Sequence, residues 1–182
     1  MTKPIRPNAF HRAIHRILML RPVTAILIHI LHRADTFLWK LNGGRFSVTG
    51  LFAGMPTYRI TTIGAKSRLP RPLPLVALPD GEKFALIASN FGQAHNPSWY
   101  YNLKAHPECH VYLDGADQPY TARQVEGPER EHYWNLAVSY YAGYRVYEKT
   151  AGGRRIPVMV LEPHKELPLS TVSPAADNHE LR

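Results

Sequence analysis

The chain has 182 residues, of which 45% are hydrophobic and 20% are charged, so it can bury a core as one folded domain with a short extension. The chain has a single cysteine, Cys109, so it can form neither an intrachain disulfide nor a cysteine-based metal site. This cysteine usage favours a location in the reducing cytoplasm. The net charge is +8, but eight basic residues and one acidic residue lie within residues 1–45. The rest of the chain is close to neutral, which disfavours a nucleic-acid-binding function.

The first 45 residues are predicted to form a basic amphipathic arm of two helices. Apolar residues recur at helical spacing over residues 10–18 and again over residues 23–41, and Gly43-Gly44 is expected to end the second helix. The apolar segment Val23–Leu31 is far shorter than the ~20 residues that span a bilayer. Because a basic amphipathic helix binds anionic lipid, the arm is expected to lie on the inner face of the cell membrane or to pack against the folded domain.

Residues 46–164 are predicted to form the folded domain, and residues 165–182 a flexible tail. The predicted strands are Tyr58–Ile63, Arg71–Leu78, Phe84–Ser89, Cys109–Leu113, Tyr120–Val125 and Ile156–Leu161. The fourth and fifth of these are expected to form a hairpin around Asp114-Gly115. A short helix is predicted from Pro97 to about His106 and a longer one from Gly127 to about Thr150. Prolines at positions 70, 72 and 74 indicate that the second strand lies at a sheet edge or starts irregularly. Antiparallel strands with helices between them favour an α+β fold, either a small barrel or a sheet with helical covers.

One candidate site lies where the third predicted strand ends and the short helix begins. Ser89 and Asn90 end the strand, and Pro97 opens a helix that is expected to expose Trp99 in its first turn. The free N–H groups of a helix start can bind an anion, and an exposed indole offers a flat face to a ring. The alternative is that Ser89 and Asn90 only form a turn and that Trp99 belongs to the core.

A second candidate site is the turn between the first two predicted strands, which carries Lys66, Arg68 and Arg71. Lysine and arginine commonly bind phosphate and carboxylate groups, so this turn is a candidate for holding a polyanionic tail. It is not a Walker phosphate loop, because the glycines of that motif are missing. The alternative is a solvated turn that binds nothing.

A third candidate site is a tyrosine stripe on the long predicted helix. Tyr141, Tyr144 and Tyr147 are three residues apart, so their side chains are expected along one gradually drifting helix face. Their phenols can hydrogen-bond a substrate oxygen and can donate a proton. Packing within the core is the alternative role.

No metal site is predicted. Two histidine pairs have a spacing that can share a metal on a helix, His11/His15 and His106/His110. The first pair has no carboxylate partner, and a proline interrupts the second pair.

Taken in order, these segments resemble the deazaflavin-dependent nitroreductase family, whose members have a split β-barrel related to that of flavin reductases. The matching segments are 61–67 (TTIGAKS), Pro70-Arg71, Pro74-Leu75, 88–90 (ASN), 96–104 (NPSWYYNLK), 141–147 (YAGYRVY) and 156–163 (IPVMVLEP). The resemblance implies a split β-barrel of the type found in FMN-binding proteins and pyridoxamine phosphate oxidases, with helical covers. It also implies that the cofactor is the deazaflavin coenzyme F420.

The resemblance also implies roles for the candidate residues. Lys66, Ser67 and Arg71 would hold the phosphate and glutamyl tail of the coenzyme. The segment from Pro72 to Val76 and the end of the third strand would line the ring and its side chain, through Pro72, Leu73, Pro74, Leu75, Val76, Ile87, Ala88, Ser89 and Asn90. The short helix would close the groove, with Trp99 foremost, through Ser98, Trp99, Tyr100, Tyr101 and Asn102. Tyr144 would lie over the reactive face, with Tyr141 and Tyr147 shaping the acceptor pocket, and a tyrosine hydroxyl or Ser89 would stabilise the developing oxyanion.

This chain departs from the family pattern in two places. The family has Arg where Ala65 stands and Gly where Arg68 stands, so one cation has moved three places. Phe91 stands in place of the first of two glycines.

The implied function is that of a reductase, which transfers a hydride from reduced coenzyme F420 to a lipophilic quinone, enone or nitroaromatic acceptor. The coenzyme supplies the chemistry, while the protein positions donor and acceptor and excludes water. Two alternatives stay open: an FMN-dependent reductase of the same fold, and a non-catalytic carrier of the deazaflavin. No nucleic-acid partner is expected, and the question of a homodimer is left open.

Overall fold

A computed structural model gives the fold of residues 55–164. Its strands are β1 (Thr57–Ile63), β2 (Pro70–Val76), β3 (Leu78–Asp80), β4 (Lys83–Ile87), β5 (Glu108–Leu113), β6 (Ala116–Val125) and β7 (Val158–Pro163). Its α-helices are α1 (Ser98–Ala105), α2 (Gly127–Tyr140) and α3 (Gly143–Thr150), and a short 3₁₀ turn covers Asn90–Gly92. The predicted arm at residues 1–45 and the predicted tail at residues 165–182 lie outside the described residues.

The seven strands form one antiparallel sheet in the order β2-β1-β5-β6-β7-β4-β3. Three of its ladders are hairpins, β1–β2, β3–β4 and β5–β6, and the β5–β6 hairpin turns at Asp114-Gly115, as the sequence predicts. The proline-rich strand β2 is at one edge of the sheet, so the edge prediction from its prolines is confirmed. Prolines suit an edge because they cannot donate to a further strand.

The sheet curls toward closure where β2 gives way to β3. The sequence predicts one strand over Arg71–Leu78, but the strand is interrupted at Ala77, whose N–H donates to the Pro56 carbonyl at 3.0 Å. Because β2 and β3 lie at opposite edges of the sheet and only Ala77 separates them in sequence, the two edges must approach each other there. The sheet is therefore a curled half-barrel, and with its helices it has the predicted α+β architecture.

Successive side chains of the central strands point to opposite faces of the sheet and belong to two separate cores. Phe84 and Leu86 of β4 point into an inner core inside the curled sheet, while Ala85 and Ile87 point into an outer core. Such alternation follows from the period of two along a strand. Helix α1 contributes to the inner core, and α2 and α3 cover the outer one. The candidate site residues lie at the ends of these elements, where the two cores meet the surface.

The long helix predicted from Gly127 to about Thr150 is wrong, because the chain forms two helices there. Tyr141 leaves the helical region with φ −147° and ψ 104°, and its ring lies against Gly143. A Cβ atom at Gly143 would collide with that ring, so glycine is what allows the second helix to start so closely. The break brings the three tyrosines together as a cluster instead of spreading them along one helix face.

Candidate functional site

The β1–β2 turn is a compact loop that displays cationic side chains. The Gly64 N–H donates to the Leu69 carbonyl at 2.9 Å, and the Arg68 N–H donates to the Gly64 carbonyl at 2.8 Å. Arg68 takes a left-handed backbone conformation with φ 56°, at a position where the family pattern has glycine. Lys66, Ser67, Arg68 and Arg71 are all exposed.

These cations have no carboxylate partner among the described residues. Arg71 donates only to the Ser67 hydroxyl, at 3.3 Å, whereas Arg59 pairs with Asp117 and Arg123 with Glu129. In residues 55–164, no ion pair within 4.0 Å involves Lys66, Arg68 or Arg71. Three unneutralised cations beside a hydroxyl form a donor set that fits a polyanionic group.

Helix α1 connects this turn to the loop that follows β4. Near its end, the Asn102 side chain accepts from the Ala65 N–H at 3.0 Å and donates to the Thr62 hydroxyl at 3.0 Å. Just before its start, the side-chain amide oxygen of Asn96 accepts a hydrogen bond from Arg154. The helical stretch from Ser98 to Asn102 rises about 6 Å along the helix axis. The two amide side chains therefore fix the distance between the cationic turn and the loop after β4.

The expectation that Trp99 is exposed is wrong. Its indole is only 7% exposed and packs in the inner core with Leu103. Positions 99 and 103 are four residues apart, so they share the helix face that points inward. Tyr101 is the exposed aromatic of this helix, at 50%, and the Tyr100 hydroxyl donates to the Gln124 side chain at 2.9 Å. Ser98 is exposed and Asn102 is half-buried.

Strand β2 forms a border of the same region. Arg71 and Pro72 are exposed, and the segment Leu73–Val76 is half-buried. Leu73 and Leu75 pack against the inner core, and Val76 packs against the outer one. The strand therefore offers partly open apolar side chains next to the cationic turn, as a groove for an elongated ligand requires.

The loop after β4 is held by Arg154, which the sequence analysis did not select. Its guanidinium donates to the carbonyls of Ala88 at 3.1 Å, of Ser89 at 3.0 Å and of Gln93 at 3.0 Å, and also to the Asn96 side chain. Burial lowers the pKa of Arg154, but an arginine stays protonated at neutral pH. Only a weak feature of the sequence indicates this role. Arg154 follows Gly152-Gly153, and no acidic residue that could pair with it lies within five positions.

The Arg154 clamp encloses a strained 3₁₀ turn. Asn90 and Phe91 both have left-handed backbones, with φ 46° and 55°, and Gly92 follows with φ 78°. A Cβ atom at Gly92 would lie 3.0 Å from the Tyr147 Cα, so the turn sits directly on helix α3. The predicted segment Ile87–Asn90 and the tyrosines are therefore neighbours: Ile87 and Ala88 are buried, and Ser89 and Asn90 are half-buried at the surface.

The three predicted tyrosines form one cluster. Their ring centroids are 5.7 to 6.1 Å apart, and the Tyr141 and Tyr147 hydroxyl oxygens are 3.3 Å apart. Tyr141 and Tyr144 are buried, at 3% and 5% exposed, and Tyr147 is half-buried. Trp134 of helix α2 packs behind Tyr144, with a centroid distance of 6.3 Å.

Burial sets the protonation state of this cluster. It raises the pKa of Tyr141, of Tyr144 and of Tyr147, because a phenolate loses more solvation than a phenol. All three side chains are therefore neutral phenols at physiological pH. A neutral phenol can donate a hydrogen bond to an oxygen on which negative charge develops, and it can serve as a proton source.

Neither a metal cluster nor a membrane-spanning helix is found in the part of the chain that the structure describes. Residues 55–164 contain no group of three or more histidine, cysteine or acidic side chains arranged to hold a metal ion. No helix among them is both long enough and apolar enough to cross a membrane.

Comparisons with known proteins agree on one family. The sequence model of the F420H(2)-dependent quinone reductase family matches residues 31–163. An F420H(2)-dependent quinone reductase of Mycobacterium tuberculosis strain H37Rv is 31% identical over 108 residues, which cover 58% of this chain and 72% of that protein.

Two solved structures are also similar to this chain. An F420H2-dependent reductase is 42% identical, with a TM-score of 0.54 over 59% of this chain and 94% of that chain. A structure described as a domain-swapped dimer is 36% identical, with a TM-score of 0.56 over 73% of this chain and 96% of that one. These neighbours confirm the predicted split-barrel fold.

Proposed function

This chain belongs to the F420H(2)-dependent quinone reductase family, and on that premise we propose that it reduces a lipophilic quinone. As a member of that family it is an F420-dependent reductase, and reduced coenzyme F420 is its cofactor. When bound, the coenzyme supplies a hydride, and a proton completes the reduction of the acceptor. The single observation that supports this function is the pairing of an unneutralised cationic turn with a tyrosine cluster, the two being linked by helix α1 and the loop after β4.

The tail of the coenzyme suits the cationic turn. Phosphate and carboxylate groups are the ligands for which lysine and arginine donors are best matched, and Lys66 and Arg71 have no competing carboxylate among the described residues. Ser67 adds a hydroxyl beside Arg71. The ring would then lie along Pro72–Val76 and beside Ser89 and Asn90.

The tyrosine cluster would act on the acceptor. Its hydroxyls are neutral, so they can donate hydrogen bonds to a quinone oxygen as charge develops on it. Tyr147, the least buried of the three, is the residue best placed to meet an acceptor from outside, and Tyr141 and Tyr144 orient it through ring packing. The loop held by Arg154 would exclude water on the other side.

A titration tests cofactor choice and activity in sequence. Purified protein is titrated with reduced coenzyme F420 and, separately, with flavin mononucleotide, while absorbance is recorded. We expect micromolar or tighter binding of the deazaflavin, weaker binding of the flavin, and oxidation of the bound deazaflavin when menadione is added. Binding without turnover of menadione or any other acceptor would contradict the proposed reaction.

Enones and nitroaromatic compounds are further acceptors that we propose. They share with quinones an electron-poor carbon or nitrogen centre beside an oxygen that can accept a hydrogen bond. Steady-state rates with one compound of each class, at equal coenzyme saturation, would rank the three classes. We expect the quinone to have the highest kcat/KM, in keeping with the family to which the chain belongs.

We also propose that residues 1–45 bring the enzyme to the inner face of the cell membrane. This segment holds eight basic residues against one acidic residue, and each cation near an anionic surface contributes ~1 kcal/mol. A lipophilic quinone dissolved in the bilayer would then be close at hand. Sedimentation with anionic liposomes, comparing the full chain with a variant that starts at Gly43, tests this. Equal partition of the two proteins would contradict it.

The enzyme is proposed to form a homodimer. Support comes from the 36% identical neighbour described as a domain-swapped dimer. Sedimentation velocity over a range of concentrations would report the assembly state, and a constant monomer mass would contradict the proposal.

A further inference from the structure

We infer that Phe91 recognises the electron acceptor, by presenting its ring to an aromatic quinone beside the tyrosine cluster. This inference rests on the proposed function and deepens it, since it names a residue that selects among acceptors. Phe91 has an exposed aromatic ring, and its backbone conformation is one that phenylalanine rarely adopts.

The Phe91 backbone is left-handed, with φ 55° and ψ 28°. A residue with a Cβ atom adopts this conformation at an energetic cost, and glycine adopts it freely. Asparagine, which precedes it at position 90, is one of the few other residues that tolerate it. A phenylalanine at this position opposes folding stability, so the fold alone does not account for the side chain.

The surrounding loop forces this conformation on Phe91. The Gly92 N–H donates to the Ser89 carbonyl at 3.0 Å, and the Gln93 N–H donates to the Asn90 carbonyl at 3.1 Å. Arg154 binds the carbonyls on both sides of the turn, and Gly92 packs on helix α3. Strain of this kind persists only where the surroundings over-determine the backbone. The position of the ring is therefore fixed by the loop.

The Phe91 ring is open to solvent on a surface that belongs to the site. It is 41% exposed, and its edge-on contact with the Tyr147 ring has a centroid distance of 6.3 Å and an interplanar angle of 74°. In residues 55–164 the other exposed large apolar or aromatic side chains are Leu69 and Tyr101. Of the three, Phe91 lies against the tyrosine cluster.

This placement suits a flat aromatic acceptor. An aromatic ring stacks on or meets the edge of another ring with a gain beyond simple burial, and a one-ring aliphatic enone cannot gain as much. Phe91 carries no group that exchanges protons or hydride. It would therefore change how well the acceptor binds, and leave the rate at saturating acceptor unchanged.

The test uses three variants: Phe91→Gly, Phe91→Tyr and the control Asp114→Gly. Asp114 has the same kind of backbone, with φ 49°, in the β5–β6 hairpin, so its replacement controls for relief of backbone strain. We expect Phe91→Gly to raise the KM for menadione about three- to tenfold, the equivalent of one aromatic pair, without a change in kcat. Its preference for menadione over cyclohexenone should fall by a similar factor. Phe91→Tyr and Asp114→Gly should keep the original KM.

Thermal unfolding separates recognition from packing. The melting temperature of Phe91→Gly should hold or rise, because relief of strain offsets the lost contact with Tyr147. An unchanged KM in Phe91→Gly, an equal rise in Phe91→Tyr, or a fall in kcat together with a lower melting temperature would overturn the inference.

A direct binding measurement keeps this test separate from the proposed function. Menadione binding is followed by quenching of tryptophan fluorescence without coenzyme, for the original chain and for Phe91→Gly. If the original chain turns over no acceptor, the proposed function fails, while weaker menadione binding by Phe91→Gly still supports the inference. Equal binding by both proteins would overturn it.

Discussion

The two ends of the candidate site are built in opposite ways. At the β1–β2 turn the functional groups are exposed cations, positioned by a backbone loop and left without carboxylate partners in the described residues. At the tyrosine cluster they are neutral hydroxyls on buried or half-buried rings, positioned by ring packing against α2 and the loop that Arg154 holds. Exposed charges act over several ångströms and are screened by salt, whereas buried hydroxyls act only at contact. The first end suits affinity for a charged tail, and the second suits the geometry of a reaction.

The two ends of the site should therefore respond differently to mutation. Changes at the cationic turn should alter coenzyme affinity and its salt dependence, with little effect on folding. Changes at the buried end should alter stability or turnover, with little effect on salt dependence.

The largest effect is expected for Arg154→Ala, at the buried end. It leaves three backbone carbonyls and the Asn96 amide oxygen, in part-buried hydrogen bonds, without their donor, and each such group costs about 1–3 kcal/mol where water does not replace that donor. We expect the free energy of unfolding, measured with urea, to fall by at least about 3 kcal/mol. Arg154→Lys should recover only part of it, because lysine lacks the planar fork.

The neighbouring Arg155 provides a matched control. It is exposed, and its contacts are surface ion pairs with Glu126 at 3.4 Å and Glu131 at 3.5 Å. Arg155→Ala should therefore change the free energy of unfolding by only ~0–1 kcal/mol. Equal losses for both arginine variants would mean that the buried clamp does not hold the loop.

The next effect concerns the exposed end. Lys66→Ala and Arg71→Ala should each weaken binding of the reduced deazaflavin by ~1.5–3 kcal/mol, the scale of a hydrogen bond to a charged group. Both variants should also flatten the dependence of the Kd on salt. Fluorescence titration at several salt concentrations measures both quantities.

Two controls accompany this titration. Arg59→Ala removes a cation that Asp117 already neutralises at 3.1 Å, so it should leave the Kd unchanged. A deazaflavin without the phosphate and glutamyl tail should bind the original chain and both site variants alike. If Lys66→Ala and Arg71→Ala lost as much affinity for that shortened ligand as for the full coenzyme, the assignment of Lys66 and Arg71 to the tail would be refuted.

A smaller effect is expected from alkaline pH. Because burial raises the pKa of Tyr144, unfolded chains lose this proton from about pH 10 while folded chains keep it. The contribution to stability is fully present below about pH 10 and decreases above it, by at most about 1.4 kcal/mol for each pH unit. Urea denaturation between neutral and alkaline pH should show this decrease, with a shallower slope for Tyr144→Phe. Parallel slopes for the two proteins would contradict burial of that phenol.

The smallest effect is expected for Tyr147→Phe, which keeps the ring and removes the hydroxyl. Loss of one neutral hydrogen bond, about 0.5–1.5 kcal/mol, should lower kcat for menadione about two- to tenfold. The coenzyme Kd should not change. Tyr120→Phe is the control, because it loses a part-buried bond to the Glu82 carbonyl from a ring in the inner core, away from the tyrosine cluster, and it should affect stability only. A lower kcat in Tyr120→Phe as well would indicate a general loss of structure.

Much of the fold follows from local sequence patterns. The hairpin at Asp114-Gly115 and the edge position of the proline-rich strand are both encoded within a few residues, and both are confirmed. The cationic turn is also visible in the sequence, because charge and turn residues are local properties. The roles of Lys66, Ser67 and Arg71 in binding stay predictions.

The features that the sequence analysis missed depend on distant contacts. The local sequence around Trp99 is the same whether its indole faces a ligand or the core. Packing with Leu103 against the curled sheet is what places the indole in the inner core. The helix break at Tyr141 requires its ring to occupy the space beside Gly143. Arg154 binds backbone carbonyls 61 to 66 residues away, and carbonyls leave no trace in a sequence.

A single-turnover measurement at two salt concentrations tests the division of the site most directly. Protein with bound reduced deazaflavin is mixed rapidly with menadione, and oxidation is followed by absorbance, while the coenzyme Kd is measured in the same buffers. We expect the Kd to rise with salt and the oxidation rate constant of the bound coenzyme to stay unchanged. A rate constant that falls as affinity falls, or a Kd that does not change with salt concentration, would contradict this division of the site.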